Sequence, residues 1–303
     1  MTAPLEKIIV CLDHSKLDRD LIQNACRISK IAGTKEITFL NVIKEFNMPD
    51  AVLKEFPDLM DKALEERRTE LQELVTKHFD CDVPTKTVVF QGSISKEILK
   101  YANDEKSDLI IFGKKKTTDS VLSTRVARRS PCNLLLIPPG HKLKFDNIFI
   151  PVDFSDYSSL SLDTTLMLTE NTSSKIYLQN VYQVPSSYRY SGKSHKEFAD
   201  IMKGHAMKDL EILIKKVDAK QQELIPVTSL DKDGRVMDLV LKEANKQKVD
   251  LIVMGAKGRT ITSALFIGSK AERMIRVNDN LPLMIIRKKG AIAGVLESLL
   301  DLS

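Results

Sequence analysis

A chain of 303 residues is long enough for one to three domains, and two is the natural division. It is 43% hydrophobic and 29% charged, the profile of an ordinary soluble globular protein with enough apolar residues for real cores. The formal net charge of +5 is too mild, and too little clustered, for a dedicated nucleic-acid binder, and no apolar run approaches the roughly 18 residues that cross a bilayer.

The first segment, "MTAPLEKIIVCLDHS", carries Glu6 and lacks a long apolar core, so no secretory leader is expected. The near-continuous apolar run within its "KIIVCLDHS" (7–15) reads as a strand buried on both faces. A helix follows, with Ile22, Ala25, Cys26 and Ala32 at helical spacing, Ser15 and Asp18 as its capping box and Gly33 as its stop. "EITFLNVI" (36–43) is the second strand. "DLMDKALEERRTELQELVTKHF" (58–79) is a long charged helix with an apolar stripe through Leu64, Leu71, Leu74 and Val75. "KSDLIIFGK" (106–114) and "CNLLLIPPG" (132–140) supply later strands, and Pro138, Pro139 and Gly140 stop the last. The four cysteines, Cys11, Cys26, Cys81 and Cys132, all lie in this half without a CxxC pair. They read as reduced thiols of a cytosolic protein, not as a disulfide frame or zinc site.

The chain then repeats itself. "NIFIPVDFS" (147–155) answers "KIIVCLDHS" (7–15), "KIYLQNVY" (175–182) answers "EITFLNVI", "KVDLIVMGAK" (248–257) answers "KSDLIIFGK", and "LPLMIIRKKG" (281–290) answers "CNLLLIPPG". Each half is one domain's worth of chain, 1–140 and 141–290, followed by a tail, 291–303. Strands that alternate with helices make right-handed βαβ units. The expected fold is therefore α/β, as two tandem doubly wound, Rossmann-like domains, each a five-stranded parallel sheet flanked by helices. Such sheets bind ligands beyond the carboxyl ends of their strands, where strand order reverses.

The second half carries a glycine motif at that place: Gly255, Gly258, then Gly268-Ser269, in the pattern G-x2-G-x9-G-S. Glycine allows close backbone approach and positive φ, successive amides form an anion nest, and a helix start adds free N–H groups and a favourable dipole. Ser269 brings a hydroxyl, and Lys257, Arg259 and Lys270 bring positive charge, a set that suits a di- or triphosphate. Glycines that only turn corners are the bland alternative. Asp153, at the tip of the first strand of this half, is placed to accept hydrogen bonds from a base or ribose, or to cap the next helix.

With Asp153 in "PVDFS", Val181 in "LQNVY" and the run from Gly255 to Ser269, residues 5–288 resemble two tandem universal stress protein domains, the second of the ATP-binding branch. The resemblance implies that Pro151, Val152, Asp153 and Val181 line the base pocket. Met254, Gly255 and Gly258 meet ribose and phosphate, and Gly268, Ser269 and Lys270 the phosphates. The ligand it implies is ATP or a related adenine nucleotide, with or without Mg²⁺.

The first half keeps Asp13, Val42 and Gly113 but loses the cradle. Counted without gaps, Lys116 replaces the second glycine and Val126-Ala127 the Gly-Ser pair. Aligned through the last strands, Asp119-Ser120 takes that slot, placing an acid where phosphate would sit. "KKK" (114–116) attracts anions or is simply a solvated basic loop.

No G-x4-G-K-[ST] or kinase motif is present, so the chain is not read as an enzyme, with slow ATP hydrolysis or autophosphorylation at Ser269 left open. None of the five histidines stands four residues from another, and His14 is placed on the loop after strand 1. The last strands, Asn133 to Ile137 and Leu281 to Ile286, are apolar edges that seek a partner. In the family they pair two domains, which implies domain–domain pairing or a homo-oligomer. The tail "AIAGVLESLLDLS" has Val295, Leu299 and Leu302 on one face for docking. The expected function is a cytoplasmic stress-response sensor that binds an adenine nucleotide in its C-terminal domain and signals to a protein partner, with no nucleic acid or membrane. The alternatives are a nucleotide-independent scaffold or a weak ATPase.

Overall fold

The computed structural model describes residues 4–44, 54–114, 120–258 and 267–289. These fall into two compact units, built on residues 4–142 and 143–286.

In the first unit the strands are β1 (Lys7–Leu12), β2 (Glu36–Ile43), β3 (Thr85–Gln91), β4 (Leu109–Gly113) and β5 (Asn133–Ile137). They pair in parallel in the order β3-β2-β1-β4-β5, with Val10 opposite Phe39 on one side and Ile111 on the other. The central strands are near-continuous apolar runs because both faces are covered. The order steps one way from β1 to β3 and the other way from β3 to β5. Right-handed crossovers then place α1 (Asp18–Ala32) and α2 (Leu59–His78) on one face, and α3 (Ile94–Asp104) and α4 (Ser120–Arg129) on the other.

Ile22, Ala25, Cys26 and Ala32 are buried as their spacing predicts, and Gly33 ends α1 at a left-handed φ of 66°. In α2, Leu71 and Val75 are buried and Leu64 and Leu74 half-buried. Two expectations are corrected. Ser15 and Asp18 do not form a capping box. Leu17 occupies the cap position, and the buried Asp18 carboxylate turns back to accept the amides of Asp13 (3.2 Å) and His14 (2.8 Å). His14 lies on the loop after β1, and its left-handed φ of 59° folds the strand end over that carboxylate. Nor are all four cysteines reduced thiols. Cys26 of α1 and Cys81, just after α2, are joined in a disulfide with their Cα atoms 5.8 Å apart. A separation of 55 residues hid an adjacency that arises because α1 and α2 share a face.

The second unit repeats the plan. Its strands β6 (Asn147–Pro151), β7 (Lys175–Tyr182), β8 (Glu223–Leu230), β9 (Leu251–Gly255) and β10 (Leu283–Ile286) run parallel in the order β8-β7-β6-β9-β10. Its helices are α5 (Asp156–Leu168), α6 (His195–Lys215), α7 (Val236–Lys246) and α8 (Ser269–Val277). The repeat extends to single atoms. Asn41 Nδ2 donates to Leu12 O at 2.7 Å, and its counterpart Asn180 Nδ2 to Val152 O at 2.8 Å. His14 and Phe154 are both left-handed, as are Lys106 and Lys248.

α4 starts at Ser120 and α8 at Ser269, which fixes the loop alignment. Ser120 is thus the counterpart of Ser269, and the ungapped count is corrected, since Val126 and Ala127 are buried in mid-helix. Lys114 is also corrected. It is only 1% exposed, since its amide donates to Ile137 O at 2.8 Å and holds the residue against the last strand, as the amide of its fully buried counterpart Ala256 does to Ile286 O at 2.9 Å. Lys115, Lys116, Asp119, Arg259 and the tail 291–303 lie outside the described residues. No described helix is long and apolar enough to cross a membrane.

Candidate functional site

At the carboxyl end of β6 the chain runs through Val152 and Asp153 into Phe154, which is left-handed at φ 59°. A bulky residue there is uncommon, and the turn directs Asp153 back into a serine cluster. Asp153 Oδ1 accepts the Ser155 amide (3.1 Å), the Ser155 hydroxyl (2.6 Å) and the Ser158 hydroxyl (2.7 Å). Ser158 Oγ in turn accepts the Asp153 amide at 3.0 Å. Ser155 itself caps α5, accepting the Ser158 amide at 3.3 Å. The helix cap is therefore Ser155, and Asp153 braces it.

Burial alone would raise the pKa of Asp153. The Ser155 and Ser158 hydroxyls, the Ser155 amide and the charge of Lys270 outweigh it and hold the carboxyl below its ordinary range. The acid is therefore ionised at neutral pH and fixed in place.

The glycines are explained by missing side-chain volume, not by backbone angle, since Gly255 and Gly258 are not left-handed. A Cβ at Gly258 would lie 2.6 Å from Asp153 Oδ2. One at Gly255 would lie 2.6 Å from Tyr157 Cβ and 3.1 Å from the Tyr157 carbonyl, where α5 presses on the end of β9. Lys257 Nζ sits 5.9 Å from the Tyr157 ring centroid, within cation–π range.

Gly268 has an ordinary extended backbone (φ −70°, ψ 150°), and its amide donates to Ala256 O at 2.7 Å. Its N–H closes the loop and is not one of the anion donors expected at this turn. The first rung of α8 is Glu272 N to Gly268 O at 2.9 Å, so the amides of Ser269, Lys270 and Ala271 precede the helical ladder. These are the donors a helix start offers to an anion.

A cavity of about 470 Å³ opens at this end of the sheet. Pro151, Val152 and Asp153 line it from β6 and its exit, and Val181 from β7. Met254, Gly255 and Gly258 line it from β9 and its exit, and Gly268, Ser269 and Lys270 from the start of α8. All ten residues singled out in the sequence therefore meet in one space. The sequence reading missed the opposite wall, which consists of Met202, His205, Ala206 and Asp209 on α6, and Val236, Met237 and Val240 on α7. The α6 residues recur at i, i+3, i+4 and i+7, a single helical face that periodicity alone reveals. Ser194 and Glu197 form a reciprocal capping box (3.2 and 2.8 Å) that fixes where α6 begins. Gln179, Tyr182 and Gln183 of β7 and its exit also line it.

The corresponding end of β1 differs in charge. Asp18 stands where the second domain has Ser158, so a second carboxylate adjoins Asp13. Burial, with the neighbouring Asp13 charge adding to it, pushes Asp18 up to about 6 against the pull of its two amide donors. The first domain thus has an acid pair where the second has an acid held by hydroxyls.

A parallel sheet in the order 3-2-1-4-5 defines a doubly wound α/β domain, present here twice, and in the second a cavity opens at the carboxyl end of the sheet. The model of the Universal stress protein family matches residues 4–138 and again 144–287, and the chain belongs to that family as a tandem pair. Curated relatives include universal stress protein MJ0531 of Methanocaldococcus jannaschii, 26% identical over 155 residues that span 50% of this chain and 88% of that protein. MJ0577 of the same organism is 22% identical over 162 residues, 48% of this chain and 98% of that protein. Among solved structures, a universal stress protein of Archaeoglobus fulgidus aligns with a TM-score of 0.64 at 16% identity, covering 95% of this chain and 98% of its own. Protein PA1789 of Pseudomonas aeruginosa aligns at 0.63 and 15% identity, over 99% and 98%. At such identities these likenesses speak for the fold alone.

Proposed function

We propose that the second domain binds ATP or a related adenine nucleotide, and that the chain acts as a cytoplasmic, nucleotide-dependent sensor or regulator of a stress response. The observation that carries this reading is the convergence of Asp153, Gly258 and the Ser269–Ala271 amides on one cavity. Its volume is within the ordinary range for small-ligand sites, roughly 300–1,000 Å³. Val152, Val181 and Met254 offer an apolar surface for a base, and Asp153, beside Gly258 and within the field of Lys270, a fixed carboxylate for ribose. The start of α8 offers its amides, the Ser269 hydroxyl and the Lys270 side chain, with Lys257 nearby, for phosphates. Mg²⁺, if it accompanies the nucleotide, would be held through phosphate oxygens. In the first domain the Asp13–Asp18 acid pair disfavours an anionic ligand, which supports one nucleotide per chain. The nucleotide state would then be read by a protein partner or a second copy of the chain.

The test is the nucleotide content of the purified protein, released by denaturation and resolved by anion exchange, alongside Gly268→Val. About one adenine nucleotide per chain, lost in the variant, is the expected result. None, with no uptake on adding ATP and Mg²⁺, would leave the scaffold reading in its place. Turnover that requires Mg²⁺ and is lost in Asp153→Ala would move the protein to the weak ATPases.

A further inference from the structure

Gln179 is fully buried on β7, yet it lines the cavity. Its amide group is half used. Nε2 donates to Ser229 Oγ on β8 at 2.8 Å, while Oε1 has no hydrogen-bond partner among the described residues. A buried acceptor left unmade is costly, and native proteins rarely keep one without a use. The fold itself does not require this glutamine. The same position of the repeat is Leu40, equally buried, in the domain that lacks the glycine cradle. A polar group has therefore been placed in an apolar slot only where a ligand cavity adjoins it.

Topology says which part of the ligand it would meet. The anion-binding loop leaves β9, on one side of β6. Gln179 lies on the other side, paired with Pro151 and accepting the Val152 amide on its own carbonyl at 2.7 Å. It therefore stands at the end of the cavity away from Gly258 and Ser269, beside Val181 where a base would rest.

We infer that Gln179 selects the nucleobase: with Nε2 given to Ser229 Oγ, its carboxamide oxygen is the group left to accept a hydrogen bond from an exocyclic amino group. A 6-amino purine satisfies the oxygen. A 6-oxo purine sets an acceptor against it, unless the amide turns over and the Ser229 hydroxyl switches from acceptor to donor. This rests on the nucleotide reading above and adds to it a rule of base choice carried by a residue outside the glycine motif.

The probes are ATP and inosine triphosphate, which differ at the purine 6 position and in the N1 proton that goes with it. Their affinities for the full chain are compared by calorimetry. The wild type is expected to prefer ATP by about tenfold or more, the size of one well-made polar contact. Gln179→Leu, which installs the residue of the first domain, should fold, bind ATP about tenfold more weakly, and lose most of the preference. Ser229→Ala, which leaves the cavity lining intact, should keep the fold and narrow the ratio. An ATP-to-inosine ratio unchanged in Gln179→Leu, or a wild-type preference for the oxo purine, would overturn the inference while leaving the nucleotide site standing. Binding of neither nucleotide by the wild type would overturn both.

Discussion

A side chain on Gly258 would bring its Cβ within 2.6 Å of Asp153 Oδ2. Asp153 has nowhere to retreat, because its other oxygen is held by the Ser155 amide and by the hydroxyls of Ser155 and Ser158. The second glycine of the motif is thus a consequence of the acid on the neighbouring strand, although the two are 105 positions apart in the chain. Gly258→Ala is expected to displace the carboxylate and weaken ATP binding by roughly tenfold or more, on an overpacking cost of about 1–3 kcal/mol. Calorimetric titration reads the affinity, and an unchanged value would mean that the carboxylate does not need its present position.

Gly255 answers to packing rather than to ligand. Its would-be Cβ meets Tyr157 Cβ and the Tyr157 carbonyl, which is backbone and cannot swing aside. Gly255→Ala should therefore destabilise the second domain by about 1–3 kcal/mol in urea unfolding, with or without nucleotide. A neutral result would show that α5 shifts freely against β9.

The Asp153 carboxyl is held below the ordinary range, so the folded domain binds its proton less tightly than the unfolded chain. Its stabilisation is present above an unfolded value of about 3.9 and fades as pH falls through the lower folded value. Ser158→Ala removes one hydroxyl donor and should cost about 1 kcal/mol at pH 7. It should also shift the onset of acid unfolding to higher pH. Coincident acid transitions for variant and wild type would contradict this.

Asp18 has the opposite sign. Its folded value is raised to about 6, chiefly by burial. The folded protein therefore gains a proton more readily than the unfolded one. The contribution of Asp18 is fully present below about 4 and is lost as pH rises toward 6. The wild type should lose stability across that interval, and Asp18→Asn should flatten the profile there. Urea midpoints at half-unit steps of pH measure it.

Cys26 and Cys81 close a stretch of 55 residues between α1 and the end of α2. On the loop-entropy account such a link is worth at most about 4 kcal/mol. Adding reductant should lower the melting temperature of the wild type and leave Cys26→Ser unmoved. Cys132, buried and pushed up to about 12, should stay unreactive to alkylating agents in the folded state. Identical melting curves with and without reductant would mean that the link adds no stability.

Much was written in local sequence. Apolar runs such as "KIIVCL" and "NIFIP" mark strands covered on both faces, and their recurrence in the second half, alternating with helical patterns, divides the chain into two doubly wound domains. Asp153, Gly255, Gly258, Gly268, Ser269 and Lys270 were legible because chemistry at the carboxyl ends of parallel strands is confined to short loops, where glycines and an acid stand out, whereas Pro151, Val152, Val181 and Met254 came only from the family resemblance. Tertiary structure alone decided how they act. It made Gly258 a matter of room for Asp153, took the Gly268 amide for the loop, buried Lys114, turned Asp18 against Asp13 and joined Cys26 to Cys81. It also showed Gln179 with an unmet oxygen at the cavity wall. Each of these depends on atoms brought together from distant positions. Such contacts are set by how helices fill the faces of the sheet, and no periodicity along the chain records them.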